Sequence, residues 1–148
     1  MPAEFQRDGI QFLYPENWKL DLQIPSENIV CALSLEAPSG AIWSVNVEQG
    51  LRDRQELVAK ILETLRDEYD EVEAEPYTGR IGDYETVGYE MYFYCIELVV
   101  KSVVQCYHTK DRTFLVMTQA ESRDHDELDP VFGALAASLA AESKPPTG

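Results

Sequence analysis

The sequence predicts an α+β domain, a largely antiparallel sheet of about six strands with amphipathic helices packed on it. From Tyr84 to Cys95 the residues alternate. Val87, Tyr89, Met91, Phe93 and Cys95 fall on one face, and Thr86, Gly88, Glu90, Tyr92 and Tyr94 on the other. Successive side chains of a strand point to opposite faces, so this pattern marks a sheet with one packed side. Two further strand-like runs follow at once, about Glu97 to Tyr107 and Thr113 to Gln119. The stretches Asp53 to Tyr69 and Asp126 to Ala141 instead repeat their apolar residues at helical spacing.

Taken in order, Gly9 to Tyr14 reads as a short strand that Pro15 ends, because proline cannot donate to a ladder. Pro15-Glu16-Asn17-Trp18 reads as a turn that drops an indole onto the core. Val30 to Ala37 and Ala41 to Glu48 flank Pro38-Ser39-Gly40 and predict a hairpin. In the first helix Leu57, Val58, Ile61, Leu62, Leu65 and Tyr69 form one apolar stripe, with Asp53 as N-cap and Glu56 three residues on. Glu71 to Tyr77 predicts a short acidic strand or extended arm, and Gly79 to Asp83 a turn. In the middle strand of the meander both faces carry apolar residues, which places it centrally. The last helix carries Leu128, Val131, Phe132, Leu135 and Leu139 on one side, with Asp129-Pro130 fitting an N-cap and first turn.

A length of 148 residues and 45% hydrophobic content suit a single domain, residues 1–141, with residues 142–148 expected as a flexible tail. No apolar run approaches the roughly 20 residues that span a bilayer, and Met1 to Arg7 lacks signal-peptide character. Cysteines number three (Cys31, Cys95 and Cys106), an odd count that reads as free thiols in a reducing compartment. The expected location is therefore the cytoplasm. A net charge of −15 argues against nucleic acid and anionic membranes and suits a basic protein partner.

The opening Gly-Ile-Gln-Phe-Leu-Tyr-Pro-Glu-Asn-Trp, residues 9–18, resembles the strand, Pro, x, x, Trp opening of the PsbP-like families. These include the extrinsic photosystem II subunit, a small Ran-binding nuclear import factor and bacterial DcrB-like proteins. The ending Phe132-Gly133-Ala134-Leu135-Ala136-Ala137-Ser138-Leu139 is similar to that family's closing helix. The resemblance implies an α/β/α sandwich around an antiparallel sheet, working by binding without a shared catalytic site. It transfers no functional residue, since the motif consists of packing residues. The lack of a signal sequence departs from the exported members.

The chemistry-bearing residues are sparse. Cys106 and His108 share a strand face and are the one pair suited to activating a thiolate. His125 lies among Arg123, Asp124, Asp126 and Glu127, a polar start to the last helix. No metal-binding spacing, phosphate loop or nucleophile elbow is present, so no catalytic, cofactor or metal residues are assigned. The acids Asp70, Glu71, Glu73 and Glu75 form a solvated edge or a docking patch. Tyr84, Tyr92 and Tyr94 lie on one sheet face, either under a helix or as a partner surface. The expected function is a non-catalytic protein-binding domain, an adaptor, assembly factor or chaperone, that uses these tyrosines and acids. Homodimerisation through sheet faces or edges is compatible with it. The alternatives are a small-molecule or lipid binder with a pocket lined by Trp18, Trp43 and Phe93, and a Cys106/His108 thiol enzyme.

Overall fold

The structure, a computed structural model, describes residues 2–24 and 26–142. The strands are β1 (Pro2–Arg7), β2 (Ile10–Pro15), β3 (Lys19–Leu22), β4 (Ile29–Glu36) and β5 (Ile42–Gln49). After helix α1 (Arg54–Glu68) come β6 (Val72–Ile81), β7 (Tyr84–Cys95), β8 (Leu98–His108) and β9 (Arg112–Glu121), and α2 (Ser122–Glu142) closes the order. Strands β1 and β2 form a separate hairpin. The other seven form one antiparallel sheet in the order β3-β4-β5-β9-β8-β7-β6. The meander therefore docks by its last strand, β9, onto β5.

Each face of this sheet has its own core. Alternation along β7 sends Met91 and Phe93 to the α1 side, where they meet Val58, Leu62 and Leu65 together with Val104 and Cys106 of β8. On the opposite face Leu33, Leu35, Trp43, Val45, Phe114 and Val116 are covered by α2 and the β1–β2 hairpin. The Pro15–Trp18 corner forms as expected. The Trp18 amide donates to the Pro15 carbonyl at 3.0 Å, and the indole meets Phe132 edge-on at 6.1 Å. Asp53 caps α1, its carboxylate accepting the Glu56 amide at 3.1 Å.

Several expectations are corrected. The arm after α1 is a ten-residue edge strand, so Gly79 to Ile81 belong to β6 and only Gly82-Asp83 turns. Strands β1 and β3 were not expected. Both are short and largely exposed, so they carry little apolar alternation. Helix α2 starts at Ser122, which puts Pro130 inside it. The Glu121 carboxylate accepts the Asp124 amide at 3.2 Å and so takes the capping role that the sequence suggested for Asp129. Glu142 closes α2, and the rest of the expected tail lies outside the described residues. At the open edge of β6, Glu73, Glu75 and Pro76 are exposed, and charge and proline of this kind discourage edge pairing.

Candidate functional site

Two places gather polar or exposed groups that the cores do not use. One is the tip of the β7–β8 hairpin. Cys95 pairs with Leu98 across a two-residue loop, and both loop residues have positive φ, Ile96 at 47° and Glu97 at 65°. That backbone calls for Asn-Gly or Asp-Gly. The β1–β2 hairpin makes the equivalent turn with Asp8-Gly9, at 53° and 81°. A β-branched residue in the left-handed region costs about 1–2 kcal/mol. Here the strained residue is also exposed. Ile96 is 89% exposed, Tyr94 64% and Leu98 53%.

Grooves flank the tip on two sides. One of about 540 Å³ runs from Ile96, Leu98 and Val100 to the β4–β5 turn at Gly40 and Ala41, rimmed by Glu97, Glu121 and Asp124. The other, about 390 Å³, is lined by Tyr94 and Tyr69 with Glu68, Asp70 and Glu71. The result is an apolar point set in a negative ring.

The sequence-selected residues separate accordingly. Tyr94, Asp70 and Glu71 meet at this tip. Glu73 and Glu75 continue along β6, opposite Tyr92 and Glu90 in register. Tyr92 donates its phenol proton to Glu90 at 2.7 Å. Tyr84 lies at the far end of β7, roughly 33 Å from Tyr94 for ten residues of strand, and stacks on Tyr107 at 4.9 Å. The three patch residues at the tip are joined by Ile96 and Leu98, which sequence reading passed over. A signal for them exists: Cys95-Ile96-Glu97-Leu98 contains no residue that favours a turn.

The second place is a cleft of about 310 Å³ between α2 and the sheet. Lys101 of β8 reaches Glu90 at 3.7 Å and Asp126 at 3.4 Å. Burial opposes the Lys101 charge, yet Glu90, Tyr92 and Asp126 outweigh it and raise its pKa. The hydrogen bond to Glu90, then burial, raises that of Tyr92. His125 is not on a polar surface as expected. It is 2% exposed, its Nε2 lies 2.7 Å from the Thr118 hydroxyl, and its ring packs on Phe132 at 4.9 Å. Burial, with Lys101 adding, holds its pKa below the ordinary value. Two side chains lining this cleft keep a buried nitrogen with no side-chain or neighbouring partner among the described residues, His125 Nδ1 and Trp43 Nε1. Such a group costs about 1–3 kcal/mol.

The residue sets named for the two sequence alternatives do not come together in the way those readings need. Trp18 and Trp43 belong to the α2-side core and Phe93 to the α1-side core, so the three cannot line one pocket. Cys106 is fully buried, and burial pushes its thiol up to about 12. His108 Nε2 is engaged 2.6 Å from the Arg52 carbonyl. A thiol so raised stays protonated near neutral pH. Among the described residues no group of His, Cys, Asp and Glu is arranged to hold a metal, and no helix is long and apolar enough to cross a membrane.

Comparison with known proteins bears on the fold. No protein-family profile matches the sequence, and no curated protein sequence matches it significantly. Solved structures do. Cyanobacterial PsbP (CyanoP) from Synechocystis superposes with a TM-score of 0.62 at 16% identity, covering 93% of this chain and 89% of that one. The fold is PsbP-like. LpqN, involved in cell envelope biogenesis of Mycobacterium tuberculosis, gives 0.55 at 10% identity, covering 92% and 86%. A Bacteroides thetaiotaomicron protein gives 0.59 at 12% identity over 91% of this chain, which spans only 46% of that protein's length. At such identities the PsbP-like likeness is one of architecture, and the tip and the cleft rest on this chain's own residues.

Proposed function

We propose that the protein works by binding another protein, as an adaptor, assembly factor or chaperone, and that the β7–β8 tip is the contact. The observation that carries this reading is the tip itself: Tyr94, Ile96 and Leu98 stand in solvent on a strained turn. Exposed apolar side chains rimmed by polar ones mark interaction surfaces, and backbone strain of this kind clusters at functional sites. The acidic rim selects a partner that is basic around an apolar centre. The small Ran-binding and DcrB-like proteins that the sequence resembles fit a binding role, as does the PsbP-like fold.

The test exploits the strain. Replacing Ile96→Asn together with Glu97→Gly installs a preferred turn, so the variant should be more stable by about 1 kcal/mol or more. It should also lose the partner. Proteins captured from native lysate by the wild type would be compared with those captured by this variant and by Leu13→Asp, an exposed control on β2. The reading requires a captured protein that the tip variant loses and the control keeps. That protein, purified, should bind more weakly as salt rises. Identical captures by all three proteins would overturn the tip as the contact.

A further inference from the structure

We infer that the groove between the β7–β8 tip and the β4–β5 turn receives an amphipathic helix whose apolar stripe is flanked by lysine or arginine. The inference deepens the proposed protein contact and rests on that reading.

The lining gives the apolar half of the match. Ile96, Leu98 and Val100 of the hairpin face Gly40 and Ala41 of the turn across about 540 Å³. Ile96 and Leu98 stand exposed, so their apolar surface is open to cover.

Charge sets what covers it. Glu97 rims the groove from the tip, and Glu121 and Asp124 rim it from the junction of β9 and α2. Among the described residues Glu97 and Asp124 have no ion pair, and Glu121 reaches the exposed Arg123 at 3.5 Å. Lysine or arginine beside an apolar stripe would meet these carboxylates. A second copy would instead bring the same three acids, in a chain of net charge −15, and like charges across an interface are costly.

Strand order sets the conformation. An extended segment binds by adding to a ladder at a sheet edge. The free edges of the seven-stranded sheet are β3 and β6, and neither lines this groove. Strands β8 and β9, which do, are paired on both sides, and Leu98 and Val99 alone of β8 run past the end of β9. That overhang is shorter than the roughly 3–10 residues of ordinary strands. An extended partner would leave its own amides and carbonyls short of partners here. A helix closes its own hydrogen bonds and offers apolar residues at i, i+3, i+4 and i+7 to a groove.

Two synthetic peptides of identical leucine and lysine content are the probes. In one the leucines recur at helical spacing, and in the other they alternate with lysine as in a strand. The backbone amide resonances of the protein report the site. The helix-patterned peptide should shift Ala41, Ile96, Glu97, Leu98 and Val100 saturably and gain helicity by circular dichroism as it binds. The strand-patterned peptide, of equal charge, should bind at least about tenfold more weakly. Leu98→Asp, at an exposed position, should weaken the helix-patterned peptide by at least about tenfold, and Leu13→Asp should leave it unchanged. Glu97→Lys, also exposed, should weaken it and flatten its salt dependence. No saturable shift, equal binding of the two peptides, shifts centred elsewhere on the molecule, or full binding by Leu98→Asp would each overturn the helix. So would concentration-dependent shifts of the same amides without peptide, the sign of a second copy. The lysate captures decide the contact separately. A partner lost by the tip variant, with no preference between the peptides, would sink the helix and keep the contact.

Discussion

The two faces of the sheet are built from the same strands and solve burial in opposite ways. Under α1 the packed side chains are almost purely apolar, Val58, Leu62, Leu65, Met91, Phe93 and Val104 among them, and the buried thiol of Cys106 is pushed up to about 12. Under α2 a larger apolar core shares its face with Lys101, Glu90, Thr118 and His125. The first face stabilises. The second gives up some stability to hold polar groups in fixed places. The polar groups held on the α2 side and the exposed residues of the tip are therefore the features that the cores leave unexplained.

The contrast can be broken most severely on the α1 side. Phe93→Ala removes a ring that packs on Tyr69 at 4.3 Å, and should cost about 3–5 kcal/mol in urea unfolding. A cost below about 1 kcal/mol would mean that this face is not a sealed core. Next comes Gly88→Ala. A Cβ there would collide with the Val104 carbonyl oxygen, so two backbones must part, and a loss of about 3 kcal/mol is expected. Wild-type stability in this variant would show that the β7–β8 approach is looser than described.

At the polar groups of the α2 side the effects should be smaller and more specific. Thr118→Val removes the hydroxyl at His125 Nε2 and leaves a buried imidazole without that partner, a loss of about 1–3 kcal/mol. His125 also gives the face a pH signature. Its folded pKa lies below the ordinary value, so the unfolded chain takes up the proton first as pH falls. Stability should be intact above about pH 6.5 and decline as pH drops below it, levelling once the folded protein protonates. Urea midpoints between pH 7.5 and 5.5 measure this, and His125→Gln should flatten the decline. An unchanged profile in that variant would remove His125 from the account. At the bottom of the scale, Arg80→Ala breaks an exposed ion pair with Glu85 and should change stability by less than about 0.5 kcal/mol.

Much of the scaffold was legible because it rests on periodicity. The alternation through Val87, Tyr89, Met91 and Phe93 and the stripe from Leu57 to Leu65 are local patterns, and both appear where expected. The strand order was not legible. Pairing of Trp43 with Thr118 is a contact between residues 75 apart in sequence, and no local pattern announces it. The tip was hidden for a different reason. Ile96 breaks the chemistry that turns normally follow, so reading by turn residues passes over it. His125 looked solvated because its sequence neighbours are charged. Its burial follows from the earlier start of α2, which turns that side of the helix inward.

The insertion of β9 between β5 and β8 also sets the order of assembly. Strand β5 is complete by residue 49, yet its free edge finds no partner until residues 112–119 have been synthesised. At roughly 5–20 residues per second, a ribosome leaves that edge waiting for several seconds. During this interval the nascent chain presents Trp43, Val45 and Val47 on a strand paired along one edge alone, with β4. Closure over so long a loop is slow, so yield during expression, more than the stability of the finished fold, should respond to substitutions that delay β9.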